Sequence, residues 1–380
     1  MPRWPDGSTP GGRRRPKPWP RSPMRPEPLP EGSRIGILGG GQLGRMLALA
    51  AARLGMRAHV FEPAAEPCAG QVVERVTRAA YDDRAALEAF AASVDVATYE
   101  FENVPLAAVD AVAARVPVRP GRRALEVAQD RLAEKEFLRG LGLWVAPFRP
   151  VDGPEDLAAG LAVLGVPAIL KTRRFGYDGK GQVRIDAAGP SAPEAWAAIG
   201  AAPSVLEGFV AFEREISVIG ARGLDGAVVA FDPGENLHRD GILHSTTVPA
   251  RVSAALARDA VLIAGRILNA LDYVGVIGVE MFATDAGLVV NELAPRVHNS
   301  GHWTQDACLI DQFEQHVRAI CGWPLGDGRR HSDAEMVNLI GDAVASAPGE
   351  TGAAVHLYGK GAARPGRKMG HVTRIAPRRP

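Results

Sequence analysis

Cysteine is scarce in this chain of 380 residues, which contains only Cys68, Cys308 and Cys321. The three are odd in number and far apart, and none belongs to a CxxC or other metal-ligand spacing. This pattern argues against a disulfide framework and a cysteine zinc site, and it favours a reducing, cytoplasmic compartment.

Long apolar runs and an excess of either charge are also absent. No stretch approaches the roughly 18 consecutive apolar residues that a membrane-spanning helix needs. The 44 lysines and arginines are balanced by 43 acids, which gives a net charge of +1. We therefore expect neither a membrane nor a nucleic acid as a partner.

The first 32 residues differ from the rest in composition. They contain ten prolines, and seven basic residues against three acids. Because proline removes backbone donors and blocks helix interiors, we expect residues 1–32 to form a disordered leader. A basic transit peptide or a nucleic-acid arm is the alternative interpretation, and no apolar run marks a secretory signal.

A βαβ unit follows the leader. The apolar run 34–38 predicts a strand, and the motif Gly39-x-Gly41-x-x-Gly44 leads into apolar residues at helical spacing. Such a loop favours a phosphate, because free N–H groups and the helix dipole attract an anion. With Glu62 about 20 residues further on, the spacing also fits a dinucleotide site, so the loop leaves open an NAD-dependent oxidoreductase.

The predicted elements divide the chain after the leader into three parts. Strands alternate with helices up to residue 118, whereas short strands outnumber helices from residue 119 onwards. We predict a mixed α/β and α+β protein with an N-terminal βαβ domain at 33–118, a central domain at 119–323 and a small β-rich C-terminal module at 324–380. Residues 124–141 and 304–321 are each predicted as one helix.

A lysine and a glycine-rich segment mark the first candidate site of the central domain. Lys171 ends an apolar strand, and residues 173–181 contain three glycines and Lys180. Glycines let backbone N–H groups close over phosphates, although the spacing of a Walker A loop is absent. An ordinary glycine-rich hairpin turn is the alternative.

A predicted hairpin carries two glutamates. Its strands, 276–282 and 288–292, are joined by a predicted three-residue loop that sets Glu280 opposite Glu292. Facing carboxylates on an apolar ribbon repel each other unless a cation lies between them, and oxygen ligands beside phosphates favour Mg²⁺. Two solvent-facing acids on the polar side of a hairpin are the alternative.

The polar run 291–302 follows directly and contains an arginine, two histidines, two asparagines and a serine. Such a run after an apolar strand is typical of a site loop, and the fork of Arg296 suits a small planar anion. A zinc pair formed by His298 and His302 is the alternative, but neither a helix signal nor a third ligand supports it.

Six segments in order resemble the ATP-grasp enzyme family of 5-(carboxyamino)imidazole ribonucleotide synthases. They are GILGGGQLGRML, TYEFENVP, ILKTRRFGYDGKGQ, ENLHRDGIL, NELAPRVHNSGHWTQ and RPGRKMGH, and the resemblance runs from about Ile35 to His371. It implies an ATP-grasp architecture whose residues 33–118 form the pre-ATP-grasp domain. It also implies an ATP-dependent carbon-nitrogen ligase of purine biosynthesis, with ATP and Mg²⁺ as cofactors.

The resemblance assigns roles to individual residues. It implies ATP contacts at Arg131, Lys171, Gly176, Tyr177, Asp178, Gly179, Lys180, Gly181, Glu207, Gly208, Phe209, Val210, Glu215, His238, Asn291 and Glu292. It implies magnesium ligation by Glu280 and Glu292. Contacts to aminoimidazole ribonucleotide are implied for Gly41, Gln42, Leu43, Tyr177, Asp178, Arg364 and Lys368. The implied catalytic residues are Arg296, His298 and Asn299 in a bicarbonate and carboxyphosphate pocket, and Asp178, which orients or deprotonates the amine.

The implied reaction has two stages. Bicarbonate attacks the γ-phosphate of ATP to give carboxyphosphate and ADP, and the exocyclic amine then reacts with carboxyphosphate or with carbon dioxide released from it. The first glycine loop would serve the ribonucleotide, so the oxidoreductase becomes the second hypothesis. The family implies a cytoplasmic homodimer. The leader lies outside the family pattern, and the pattern continues past residue 380, so we expect weaker docking of the last module.

The C-terminal end is strongly basic. Residues 360–380 carry seven basic residues and no acid. One proline and two glycines in the segment 364–370 predict a tight turn that aims its cations at one point. The anion implied by the resemblance is a ribose 5-phosphate, and the cations from Arg374 onwards lie beyond the turn.

Overall fold

The computed structural model describes residues 27–176 and 179–379. Its N-terminal part is a four-stranded parallel sheet with strand order β3-β2-β1-β4. The elements are β1 (Arg34–Leu38), α1 (Gln42–Arg53), β2 (Arg57–Phe61), β3 (Arg75–Thr77), α2 (Arg84–Ala91), β4 (Val96–Tyr99) and α3 (Leu106–Ala113). Ile35, Ile37, Val60 and Val96 are buried in its core, so the predicted βαβ unit is confirmed.

The expectation of disorder in the leader fails at its last residues. Leu29 N–H donates to Cys321 O at 2.9 Å, and Trp323 Nε1 donates to Leu29 O at 2.8 Å. Gly32 N–H donates to Gly55 O at 2.9 Å. Proline prevents a helix here but leaves carbonyls and the remaining amides able to bond to other segments. The rest of the predicted leader, residues 1–26, lies outside the described residues.

Two predicted helices are each divided in two. Residues 124–141 form α4 (Arg122–Ala128) and α5 (Arg131–Gly140), and residues 304–321 form α9 (Thr304–Ala307) and α10 (Gln312–Cys321). In both cases an aspartate caps the second helix. Asp130 accepts from Leu132 N–H at 3.0 Å, and Asp311 accepts from Phe313 N–H at 2.8 Å. An N-cap residue has non-helical dihedrals, so each aspartate marks a break between two helices. The apolar period continues across this break, and the sequence pattern therefore did not reveal it.

A small antiparallel sheet follows with strand order β5-β8-β6-β7. Its elements are β5 (Phe148–Val151), α6 (Pro154–Leu164), β6 (Ala168–Thr172), β7 (Gln182–Ile185), α7 (Ala192–Ala198) and β8 (Ser204–Gly208). Val151, Leu157, Leu170 and Leu206 are buried between this sheet and its helices. The glycine-rich segment therefore connects β6 to its neighbour β7.

The largest sheet contains nine strands in the order β14-β13-β9-β11-β12-β15-β17-β16, with β10 paired to β9. Its strands are β9 (Arg214–Arg222), β10 (Val228–Ala230), β11 (Gly234–Arg239), β12 (Ile242–Val248), β13 (Gly275–Thr284), β14 (Gly287–Ala294), β15 (Ser332–Ile340), β16 (Ala354–Leu357) and β17 (Lys368–Pro377). The helix α8 (Ala254–Ala270) packs on this sheet.

The C-terminal strands continue this sheet because β15 pairs with β12, with Ser245 opposite Val337. Arg374 to Pro377 lie beyond the basic turn, as expected, and they pair with β15 as the end of β17. The strands β11, β12, β15 and β17 were not predicted, because their polar residues interrupt the apolar alternation.

The N-terminal sheet is joined to the large sheet by a buried histidine on α10. His316 Nε2 lies 2.9 Å from Thr98 Oγ1, and His316 Nδ1 accepts from Val276 N–H at 3.1 Å. This contact holds the C-terminal end of β4 next to β13. Within the described residues, no helix combines the length and the apolar character needed to cross a bilayer.

Candidate active site

One cavity of about 850 Å³ lies where the three sheets meet. It is bounded by the glycine loop and residues 100–103 on one side, by the β13–β14 hairpin on another, and by the 360–368 turn. The predicted site residues that line it are Gln42, Leu43, Arg131, Lys171, Gly176, Gly179, Lys180, Glu215, His238, Glu280, Asn291, Glu292, Arg296, His298, Asn299, Arg364 and Lys368. Tyr177 and Asp178 lie outside the described residues.

The first glycine loop is occupied by glutamates of the chain itself. Glu62 Oε2 accepts from Gly40 N–H at 2.7 Å, and the two oxygens of Glu100 accept from Gly41 and Gly44 N–H at 2.8 and 3.1 Å. Burial raises the pKa of Glu100. A dinucleotide pyrophosphate would need these N–H groups, so the NAD-dependent alternative is not supported. Gly41 itself does not line the cavity, whereas Gln42 and Leu43 do.

The hairpin sets Glu280 opposite Glu292, as predicted, but by a different route. Thr284 pairs with Gly287, so the loop has two residues and not three. A β-bulge near Asn291 then shifts the register by one residue and restores the glutamate pair. Because side chains alternate between faces, the bulge decides which residues of β14 reach the cavity.

The two glutamates differ in their surroundings. Burial and the neighbouring Glu292 raise the pKa of Glu280 to about 7. Glu292 accepts a hydrogen bond from Arg131 Nη1 at 3.0 Å. Burial by itself would raise the pKa of Glu292, but the neighbouring guanidinium lowers it. Asn291 Oδ1 is buried and has no hydrogen-bond partner among the described residues. Three oxygen-bearing side chains therefore stand together, one with an unused acceptor, as a hard divalent cation requires.

A second charged cluster lies behind the glycine-rich segment. Glu207 contacts Lys171 Nζ at 3.0 Å and Lys135 Nζ at 3.2 Å. Burial by itself would raise the pKa of Glu207, but the two lysines lower this pKa to about 2. Lys135 is only 1% exposed and was not predicted as a site residue. It lies one helical turn after Arg131 on the same face of α5, and this spacing is the signal that identifies it.

Residues 207–210, for which the resemblance implies ATP contacts, span the end of β8, and they contribute less to the cavity than predicted. Of Glu207, Gly208, Phe209 and Val210, none lines the cavity. The Phe209 ring is exposed and carries the guanidinium of Arg184 at 4.5 Å from its centroid. Glu215 and His238, on the paired strands β9 and β11, are in direct contact and both line the cavity.

The glycine-rich segment is tied to the break between α4 and α5. Arg173 donates to both oxygens of Asp130 at 3.0 and 2.7 Å, so the residue that caps α5 also holds the start of the segment. Gly179 and Gly181 have φ angles of 77° and 69°, which only glycine adopts without strain. A Cβ on Gly181 would lie 2.6 Å from Thr172 Oγ1, so this part of the segment depends on glycine.

The polar loop after β14 splits into a cavity part and a buried part. Arg296 Nε donates to Glu102 at 2.5 Å, and the side-chain amides of Asn299 and Asn338 bond to each other at 2.8 and 3.0 Å. Glu102, in the segment TYEFENVP, was not predicted as a site residue. His298 faces the cavity, whereas His302 is fully buried near Gln312, which contradicts a shared zinc ion.

Another group of possible metal ligands within the described residues is Asp306, His356 and His371. Their candidate ligand atoms lie within 4.8 Å of one another. The rings of His356 and His371 are stacked at an interplanar angle of 12° with centroids 4.5 Å apart. Because each imidazole lone pair lies in its own ring plane, stacked rings do not converge on one ion, so we assign no metal there.

The basic turn bends back onto the cavity. Lys360 Nζ donates to Lys368 O at 2.9 Å, and burial lowers the pKa of Lys360 to about 8. Gly366 has a φ angle of 75°, as the predicted turn requires. Lys360, Arg364, Arg367 and Lys368 all line the cavity, so the four cations of the turn converge on the same space.

Three family models match the chain in order. They are the ribonucleotide synthetase preATP-grasp domain at residues 33–129, the ATP-grasp domain at residues 136–313, and the phosphoribosylaminoimidazole carboxylase C-terminal domain at residues 334–379.

Named relatives and solved structures agree with these matches. The N5-carboxyaminoimidazole ribonucleotide synthase of Brucella melitensis biotype 1 is 56% identical over 355 residues, covering 92% of this chain and 98% of the relative. An N5-carboxyaminoimidazole ribonucleotide synthetase solved with ADP has a TM-score of 0.89 at 41% identity, covering 92% of this chain and 94% of that one. The Aspergillus clavatus N5-carboxyaminoimidazole synthase, solved with ADP and 5-aminoimidazole ribonucleotide, has a TM-score of 0.84 at 33% identity, covering 91% and 94%.

Proposed function

The chain belongs to the N5-carboxyaminoimidazole ribonucleotide synthase family of ATP-dependent ligases in purine biosynthesis, and on that premise we propose how its residues divide the reaction. The substrates are 5-aminoimidazole ribonucleotide, bicarbonate and ATP. One observation carries the proposal. Lys171, the Glu280–Glu292 pair, Arg296 and the basic turn, which suit phosphates, a divalent cation and small anions, all line a single cavity. Phosphoryl transfer needs little covalent chemistry from side chains, so positioning and charge neutralisation are the protein's part.

The ATP phosphates belong beside Lys171 and the glycine-rich segment. Lys171 is held by Glu207 at 3.0 Å, so its ammonium is placed before ATP binds. Arg131 contacts Glu292 at 3.0 Å and also lies beside Gly176 of the glycine-rich segment. We place the adenine toward residues 207–210, which span the end of β8, and keep Glu215 and His238 as ATP-side residues on the large sheet.

A magnesium ion fits the carboxylate pair. Glu280 and Glu292 would supply carboxylate oxygens, and Oδ1 of Asn291, which has no hydrogen-bond partner among the described residues, would supply a neutral oxygen beside them. When bound, the ion would neutralise charge on the ATP phosphates. The bulge of β14 sets Glu292 opposite Glu280, and the hydrogen bond from Arg131 fixes the Glu292 carboxylate.

Bicarbonate belongs beside Arg296, His298 and Asn299. A bicarbonate oxygen attacks the γ-phosphorus, the bond to the β-phosphate oxygen breaks, and ADP leaves as carboxyphosphate forms. Glu102 accepts from Arg296 Nε and Val297 O accepts from Nη1 at 3.1 Å, so the guanidinium is fixed while its remaining N–H groups are left for the anion. The amine nitrogen of the ribonucleotide then bonds to the carboxyl carbon, inorganic phosphate leaves, and the amine loses a proton, for which Asp178 remains our candidate.

The ribonucleotide phosphate belongs between the first helix and the basic turn. Gln42 and Leu43 start α1 and line the cavity, as do Arg364 and Lys368 of the turn. Since Gly41 N–H is bonded to Glu100, we assign the phosphate to the two following amides. Tyr177 remains a proposed contact to the imidazole.

ADP release measured with each substrate omitted in turn tests the proposal. Full ADP release should require both bicarbonate and 5-aminoimidazole ribonucleotide, and one phosphate should appear for each ADP. ADP release that is independent of bicarbonate, or turnover of NADH, would contradict it.

We also propose that the enzyme works in the cytoplasm as a homodimer. The three cysteines are free and buried, which suits a reducing compartment. Light scattering of the purified protein tests the dimer, because a monomer has a mass of 40.2 kDa.

A further inference from the structure

The two ring nitrogens of His298 have different surroundings. Nδ1 lies 2.8 Å from Ser300 Oγ and accepts from the backbone N–H of Ser300 at 3.4 Å. Nε2 points toward Glu280 Oε1 at 3.5 Å, which is longer than a hydrogen bond of about 2.7–3.2 Å. The outer nitrogen is therefore open to the cavity, whereas the inner one is engaged by the protein.

The backbone amide of Ser300 indicates the polarity of these contacts, but at 3.4 Å it is weak, so the Ser300 hydroxyl at 2.8 Å is the contact that holds this polarity. An amide N–H only donates, so Nδ1 must present its lone pair. A neutral imidazole with a lone pair on Nδ1 carries its proton on Nε2. The Ser300 hydroxyl then donates to Nδ1, and its oxygen accepts from Ser217 Oγ at 2.7 Å. All three contacts are satisfied only when the protons run from Ser217 to Ser300 to His298.

We propose that Ser217 and Ser300 form a hydroxyl relay that holds His298 in its Nε2–H tautomer, so that His298 donates a hydrogen bond into the cavity and does not act as a base there. Ser217 and Ser300 are positioning residues. The identity of the acceptor, an oxygen of bicarbonate or carboxyphosphate, rests on the proposed function, whereas the tautomer does not.

The backbone around His298 is held independently of the relay. Gln312 Oε1 accepts from His298 N–H at 2.9 Å, and Gln312 Nε2 donates to His298 O at 2.7 Å. Ser217 lies opposite Glu280 in the β9–β13 pairing, so the relay begins on the strand that borders the carboxylate pair. Loss of a hydroxyl should therefore change the proton position on the ring more than the position of the loop, and a donor fixed in advance is what stabilises developing negative charge.

His59 provides an internal reference with the opposite polarity. Ser93 Oγ donates its only proton to Phe90 O at 2.7 Å, so it must accept from His59 Nδ1 at 2.9 Å. Thr77 Oγ1, 2.8 Å away, then donates to His59 Nε2. The same rules thus predict Nδ1–H for His59 and Nε2–H for His298.

Long-range ¹H–¹⁵N correlation spectra of the ligand-free full chain, labelled with ¹⁵N-histidine, test the relay. The signals are assigned with His298→Gln and His59→Gln. We expect opposite neutral tautomers for the two rings. Ser300→Ala or Ser217→Ala should shift His298 toward a mixture of tautomers and leave His59 unchanged, which also reports that the variant is folded. Ser93→Ala should do the reverse.

A His298 ring that is Nδ1–H in the wild-type protein would overturn the relay. So would an Nε2–H ring that neither serine variant alters. Because each serine is tested separately, failure of one variant to fold leaves the other as a test.

ADP formation tests the donor role. His298→Gln keeps a side-chain N–H, whereas His298→Met has similar volume and no donor. Removal of one donor to a developing oxyanion costs about 10²- to 10³-fold in kcat, so the Met variant should fall by that factor and the Gln variant by much less. Ser300→Ala should cost roughly three- to tenfold. Equal losses in the Gln and Met variants would overturn the donor role, whereas wild-type ADP release without bicarbonate dependence would contradict the proposed function instead.

Discussion

Glu280→Gln should stabilise the ligand-free protein at alkaline pH while impairing its magnesium-dependent activity. Glu280 is largely buried, and its pKa is about 7 in the folded state against 4.5 in the unfolded chain, because of burial first and the charge of Glu292 second. At about 1.36 kcal/mol per pH unit, this difference corresponds to about 3 kcal/mol.

The sign follows from proton linkage. The folded state holds the proton of Glu280 more tightly than the unfolded state, so ionisation costs nothing below pH 4.5. The cost grows as the pH rises and is complete above pH 7, the folded-state value. Glutamine has no such cost, so Glu280→Gln should gain up to about 3 kcal/mol relative to the wild-type protein between acidic and alkaline pH.

Urea unfolding at pH 5 and pH 8, in buffer with a chelator, measures this difference. ADP formation against Mg²⁺ concentration measures the activity, which should fall and require more Mg²⁺. The matched variant Glu292→Gln should be less stable than the wild-type protein, because Arg131 loses a carboxylate partner at 3.0 Å. If Glu280→Gln is no more stable at pH 8 than the wild-type protein, or keeps its Mg²⁺ dependence, the reasoning about a charged, cation-binding pair is refuted.

Three further predictions concern the ligands, the basic turn and acid stability. Mg-ATP at a hundredfold excess over its Kd should add about 2.7 kcal/mol of stability, seen as a higher melting temperature, whereas NADH should give no rise; the opposite pattern would refute the ATP site. Lys368→Ala should raise KM for aminoimidazole ribonucleotide roughly 10- to 100-fold, the effect of losing a contact of about 1.5–3 kcal/mol, with ATP affinity unchanged. Arg374→Ala, which removes an exposed cation of the same strand, should change neither, and equal effects would indicate only a general electrostatic patch. Arg251 hydrogen bonds lower the pKa of Glu235 to about 2, so this stability is present above pH 4.5 and lost as the pH falls toward 2. Because solvent screens this pair, Glu235→Gln should lose only about 1 kcal/mol at pH 7 and show a flatter acid dependence in urea unfolding at pH 7 and pH 3.

Local pattern predicted much of the fold. The first strand, glycine loop and helix and the strand that contains Lys171 depend on periods of about 2 and 3.6 residues and on turn residues close in the sequence. The pairing of Glu280 with Glu292 was also predicted, but the structure reaches it through a two-residue loop and a β-bulge that the local pattern did not indicate. The polar run after β14 was also visible, because a core strand cannot accommodate so many polar side chains.

Helix ends and strand neighbours were predicted less well. Asp130 and Asp311 each divide an apolar period that continues across the break, so the period alone indicated one helix. The strands after residue 331 join the large sheet through β12, and the sequence does not state which strand edges meet. Pairing between distant strands depends on contacts that no local window contains.

The amino-acid sequence by itself determined the class of chemistry, because the family segments and the residue types that bind phosphates, a divalent cation and a small anion are written in order along the chain. Only the tertiary structure decided how those groups are used. It placed Glu62 and Glu100 on the glycine loop, Lys135 behind Glu207, and the Ser217–Ser300 relay behind His298. Charge, burial and hydrogen-bond polarity depend on atoms brought within a few ångströms by folding, and these neighbours are separated by up to 83 residues in the chain.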